Sequence, residues 1–205
     1  MFHERSAKSG GEQYLSSFWY TYNILARDNP DVLAELLGDW HWEKPARQQG
    51  VKDIFHRAIV GQVEGKPQIN FGRTFVAGHP KYPLSDAAPP LTSSQQEALR
   101  ILTDTVQKNC FQLDVQVGDM VLINNLSIMH ARNAFVDDME HIRHVMRLWL
   151  RDGETSWPIA PSLKYQDKDL WNVAPELQRL RTATEWNAMP RAIRIGETYV
   201  DAAHD

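Results

Sequence analysis

Two arginines four residues apart and a histidine upstream of them are the side chains best suited to chemistry: Arg143, Arg147 and His130. If residues Ile142 to Leu150 form a strand, alternate side chains share a face. Arg143, Val145, Arg147 and Trp149 then line one side, and His144, Met146, Leu148 and Leu150 line the other. Both sets contain large apolar residues, which predicts a strand buried on both faces. Two guanidinium groups on a buried face are costly unless each meets an anion. A guanidinium fork matches the two oxygens of a carboxylate. The pair therefore asks for a bound dicarboxylate or substrate carboxylate, or for internal ion pairs with Asp or Glu. A hairpin could bring His130 to the same interior, either as a hydrogen-bonded structural residue or as a metal ligand.

The elements that must position these residues follow from local signals. Ser16 and Ser17 can cap a helix with apolar face Phe18, Tyr22, Leu25 and Ala26. A second helix buries Val32, Leu33, Leu36 and Leu37 and ends at Gly38. Ile54 to Val63 and Gln68 to Phe75 read as strands around the turn Glu64-Gly65-Lys66-Pro67. His79 to Pro90 is a loop. Thr92, Ser93 and Ser94 offer caps to a helix with the stripe Ala98, Leu99, Ile101, Leu102 and Val106. Strands are expected over Phe111 to Val115, Met120 to Asn124 and Ile142 to Leu150, and a helix between Pro175 and Trp186. Helices first and a run of strands after them, without regular βα alternation, predict a mainly β sandwich or jelly roll with flanking helices in one domain, 1–205.

Composition narrows the function classes. Across 205 residues, the hydrophobic fraction of 42% and charged fraction of 23% are those of an ordinary globular chain. A net charge of -4 disfavours a nucleic-acid partner, which needs a basic face to neutralise phosphates. No apolar run has the length of a membrane span, and the N-terminus has no signal-peptide pattern. With the single cysteine, Cys110, this predicts a cytoplasmic setting. Cys110 reads as a partly buried residue closing a helix.

The stretch Gly118-Asp119 through Asn124-Asn125 to His130, followed by Arg143 and Arg147, resembles the C-terminal signature of the taurine dioxygenase-like (TauD/TfdA) branch of iron(II)/2-oxoglutarate dioxygenases. Gly10-Gly11-Glu12-Gln13, then Ser16-Ser17 and Tyr22-Asn23, is similar to that family's Gly-Gly turn and helix. The resemblance covers about residues 7–151, leaving 152–205 as a C-terminal extension. It implies a double-stranded β-helix (jelly roll, clavaminate synthase-like) with Fe(2+) and 2-oxoglutarate as cofactors. His130 would be the distal iron ligand and Arg143 the clasp for the far carboxylate of 2-oxoglutarate. Gln13 would stand where the family has a hydroxyl residue helping to hold that cofactor, and Arg147 would face an acidic group of a small-molecule substrate.

The family's His-x-Asp or His-x-Glu pair should precede the Gly-Gly turn. His3-Glu4-Arg5 does not match it, so the expected fold is incomplete at its N-terminus, short of one imidazole and one carboxylate ligand. A lost upstream exon, a non-catalytic relative, or a chain that draws ligands from another would each account for this. Open sheet edges would then favour self-association. His41-Trp42-Glu43 has the His-x-Glu form but lies after the Gly-Gly helix, and reads as ordinary strand or loop. His79 receives no role.

Overall fold

The computed structural model describes residues 1–45, 52–80, 82–150 and 152–164. Three helices build the core. Helix α1 (Phe18–Asp28) starts where Ser17 Oγ accepts the Tyr20 N–H at 3.4 Å, and buries Phe18, Thr21 and Leu25. Helix α2 (Pro30–Leu37) has Pro at its first position, where no intrahelical N–H is required, and buries Leu33 and Leu36. The 16-residue helix α4 (Ser93–Lys108) opens with a reciprocal capping box between Thr92 and Gln95 and buries Ala98, Leu99 and Leu102. A short helix α3 (Arg73–Ala77) contributes Val76. These faces enclose one apolar cluster with Trp40, Trp42, Ile59, Val60 and Ile69.

Among the described residues the strands form five small sheets. Strand β1 (Phe2–Arg5) pairs antiparallel with β11 (His144–Met146), and β2 (Ser9–Gly10) with β10 (Phe135–Val136). Strand β3 (Gln13–Ser17) is central to a three-stranded sheet, between β8 (Cys110–Leu113) and β9 (Ile128–Arg132). Strand β4 (Trp40–Pro45) pairs with β5 (Lys52–Arg57), and β6 (Val60–Val63) with β7 (Lys66–Ile69). The described residues are rich in strand with a few helices, and their ladders do not close into a barrel.

The helices stand where the sequence puts them, and the expected 64–67 turn tightens to Glu64-Gly65, with Lys66 and Pro67 paired in β7; four strand expectations need correction. Ile54 to Val63 is not one strand: it breaks between β5 and β6, where Ala58 and Ile59 turn their N–H groups to Ser162 and Leu36. Gln68 to Phe75 is strand only to Ile69 and then enters α3 through the Gly72 cap. Residues Met120 to Asn124 make a single bridge, Phe2 to Met120, rather than a strand. Ile142 to Leu150 shrinks to the three residues of β11, and its second face is open, not buried. His144 and Met146 are exposed, and Leu148 and Leu150 are 78% and 76% accessible. The predicted helix between Pro175 and Trp186 lies outside the described residues.

The part of the expected extension that is described belongs to the packed structure. Ala160 and Leu163 are buried against Ala58, and a 3-10 turn at Pro161–Leu163 packs on β6. Gln68 ties it down: its amide donates to Pro158 O at 2.7 Å, and its Oε1 accepts the Ala160 N–H at 2.9 Å.

Candidate carboxylate and metal-ligand site

Two ladders bring the selected residues together. Across β3 and β9, Gln13 pairs with Arg132 and Leu15 with His130, so these four side chains share one face. Across β1 and β11, His3 pairs with Val145, next to a register irregularity before Arg5, and Arg143 is near enough to act on its charge. The two ladders meet: Gln13 Nε2 lies 2.9 Å from His3 Nε2. At the other end Arg147 Nη2 donates to Met1 Sδ at 3.5 Å. These contacts link His3 to Gln13, bring Arg143 near enough to act on the charge of His3, and bring Arg147 near enough to act on that of His130.

The Gly-Gly turn makes this approach possible. Gly10 and Gly11 have φ of 75° and 81°, which side chains disfavour. A Cβ at Gly10 would stand 2.2 Å from Ala134 O, blocking the β2–β10 pairing, and one at Gly11 would stand 3.2 Å from Arg143 Nε. The turn thus seats the Arg143 side chain against bare backbone. Phe135 supports the guanidinium from the other side, with Arg143 Cζ 5.3 Å from the ring centroid. Asp137 Oδ1 accepts the Arg143 N–H at 3.0 Å.

Electrostatics of the site are cationic. Burial lowers the pKa of His130, and the charges of Arg147 and the N-terminal ammonium lower it further. Burial also lowers that of His3, followed by Arg143 and the same ammonium, with Asp119 opposing. Both imidazoles are thus held neutral near pH 7, in surroundings that favour an anion.

The profile described as "Taurine catabolism dioxygenase TauD, TfdA family" matches residues 1–149. The chain belongs to the TauD/TfdA family. Among curated TauD/TfdA relatives, the taurine hydroxylase-like protein SAT17 of Stachybotrys chartarum is 33% identical over 80% of this chain and 43% of its own length. FR-33289 synthase of Streptomyces rubellomurinus is 26% identical over 70% of this chain and 44% of its own length. The chain thus spans less than half of the relatives it matches. Among solved structures, asparagine oxygenase in complex with Fe(II), 2S,3S-3-hydroxyasparagine and succinate superposes with a TM-score of 0.48 at 14% identity, over 68% of this chain and 40% of that one.

The donor set separates the two cofactors that TauD/TfdA membership brings to mind. A carboxylate suits the cationic surroundings of Arg143. Iron(II) does not suit the described residues alone. Among them no three His, Cys, Asp or Glu side chains gather as a metal-holding group. His130 offers a single nitrogen beside two positive charges, whereas a ferrous triad needs a second imidazole and a carboxylate.

The remaining candidates stay structural. His41 and Glu43 lie on β4, in a different ladder. His41 Nε2 is 3.0 Å from Glu43 Oε1, and Glu43 also accepts the Ser85 N–H at 2.8 Å and the Ser85 hydroxyl at 2.5 Å. That carboxylate anchors the loop after α3. His79 closes a small turn with Tyr82. Cys110, half-buried at the end of α4, donates to Gln107 O at 3.1 Å. Sequence reasoning missed His3. The alternation Phe2-His3-Glu4-Arg5 is compatible with a strand, but nothing local says which strand it joins.

Proposed function

We propose that this chain supplies the oxo-acid-binding wall and one nitrogen ligand of an iron(II)/2-oxoglutarate-dependent dioxygenase-type oxidoreductase. The substrate class is a small organic acid or secondary-metabolite intermediate, and the reaction a hydroxylation or desaturation. The hydroxylase-like and synthase names of the relatives suit that class. The observation that supports the reading is the contact between the β3–β9 and β1–β11 ladders through Gln13 and His3, with Arg143 acting on His3 and Arg147 on His130.

In this reading Arg143 and Gln13 hold the far carboxylate of 2-oxoglutarate, and the neutral His130 presents a nitrogen toward the metal. Arg147 faces an acidic group of the substrate. Bound iron(II) would supply the oxidising chemistry, and its other two ligands must come from beyond the described residues. The test is conversion of 2-oxoglutarate to succinate by the chain with iron(II), ascorbate and candidate acids. Iron-dependent succinate supports the reading.

A second reading is a relative that keeps carboxylate binding without an iron site; among the described residues no three His, Cys, Asp or Glu side chains gather as a metal-holding group. Calorimetry with 2-oxoglutarate, with and without iron(II), separates the two. Affinity unchanged by iron, with no succinate formed, would favour this second reading.

A further inference from the structure

We infer that His3 is a third arm of the carboxylate clasp, working beside Arg143 and Gln13 and taking up a proton as a dicarboxylic oxo acid seats. The inference rests on the carboxylate-binding reading above and adds a residue that the family resemblance does not assign.

The geometry places His3 in the clasp. It pairs with Val145 on β11, and the Arg143 charge reaches its imidazole. Its Nε2 lies 2.9 Å from the amide nitrogen of Gln13, a buried residue on the facing ladder. With His3 neutral, Gln13 donates one N–H to the ring and part of its donor capacity is spent on a neighbour. The charged groups around the ring are Arg143 from just before β11, the N-terminal ammonium of Met1 just before β1, and Asp119 from the turn after β8. Two are positive and one is negative.

A carboxylate arriving at Arg143 cancels the nearest of those positive charges. Protonation of His3 then becomes easier, since the charge that opposed it is neutralised. Both nitrogens of an imidazolium donate, so Gln13 turns its Oε1 toward the ring and frees its NH2 for the carboxylate. Linkage fixes the sign. In the free chain the His3 pKa is lowered, and in the complex it is raised relative to that. Binding takes up a proton between the two values, and affinity rises as pH falls through the bound-state value. Below the free-state value the gain is complete.

The experiment is calorimetric titration of the full chain with 2-oxoglutarate, without metal, in two buffers of different ionisation enthalpy from about pH 8 to about pH 6. Buffer-dependent heats showing proton uptake in the wild type, lost in His3→Gln and kept in His144→Gln, support the inference. His144 is the control because its imidazole pairs with Glu4 on the exposed face. His3→Gln should also weaken binding about three- to tenfold near the acid end and little near the alkaline end. Binding with equal heats in both buffers and unchanged affinity in His3→Gln would overturn the role of His3 while leaving the Arg143 clasp standing. No binding by the wild type at all would overturn the carboxylate reading and this one with it. The wild-type measurement decides whether or not the variant folds.

Discussion

Leu15 and His130 stand opposite each other in the β3–β9 ladder, so the imidazole is held on the face that looks toward Arg147 rather than on the face packed against the helices. Met129, its neighbour, points the other way and packs on the main core. In the proposed reading His130 and Arg143 have separable jobs, one toward the metal and one toward the far carboxylate. His130→Ala is expected to leave metal-free 2-oxoglutarate affinity within about twofold, because the carboxylate clasp does not include it. Any increment in affinity that iron(II) confers should vanish in the same variant. Calorimetry with and without metal checks both, and a large metal-free loss would move His130 into the clasp.

Arg143→Ala should weaken 2-oxoglutarate at least tenfold, since it removes a charge-assisted pair worth about 1.5–3 kcal/mol and leaves the anion without a guanidinium partner in the clasp. Arg143→Lys should recover only part of this, because an ammonium cannot present two parallel N–H groups. Unchanged affinity in Arg143→Ala would remove the clasp from this position.

How far such a site is legible from sequence depends on the range of the contacts. The helices were readable because capping and apolar spacing are local: Ser17 before α1, Thr92 with Gln95 before α4. The motif order singles out Gln13, His130, Arg143 and Arg147 as candidates. The lengths of β9 and β11 and the partner of β1 were not readable, because each depends on pairing with a distant segment. His3 is the clearest case. Its meaning comes from Val145 beside it and Gln13 across from it, and neither is a neighbour in sequence. The open face of β11 was misjudged for a related reason: alternating apolar residues say that a face could be covered, not what covers it.

That open face bears on behaviour in solution. Leu122, Leu148 and Leu150 are among the most exposed apolar side chains of the described residues, and the two-stranded β1–β11 ladder is short. The chain expressed alone should self-associate through such surfaces and edges. Replacing Leu148 and Leu150 together by Lys should shift the light-scattering mass toward that of one chain. A wild-type chain that already scatters as a monomer counts against the expectation.

The turn before β11 should respond to acid. Backbone N–H groups of His141 and Glu140 hold the Asp138 carboxyl down to about 2, with the His141 ring and Lys8 adding to it. A carboxyl depressed below its ordinary value of 3.8 contributes stability above that value and loses it as pH falls toward 2. The turn also carries Asp137, whose side chain accepts the Arg143 N–H. Asp138→Asn at neutral pH should therefore speed amide exchange across residues 138–143 and modestly weaken 2-oxoglutarate, without a large loss of global stability. Exchange rates equal to wild type would show that Asp138 does not order the turn.

Glu43 offers the test of the rival metal site. Its carboxylate is buried on β4 and is fully engaged by the two donors of Ser85 and by His41. Glu43→Ala removes the acceptor and leaves those donors without it inside the fold, a change expected to cost about 2–4 kcal/mol. Urea denaturation should show that loss as a lower midpoint with little change in slope. If Glu43 and His41 were instead iron ligands, the same substitution would abolish the iron-dependent increment in 2-oxoglutarate binding while His130→Ala spared it. The structural assignment requires the reverse pattern: stability falls, and any increment due to iron follows His130.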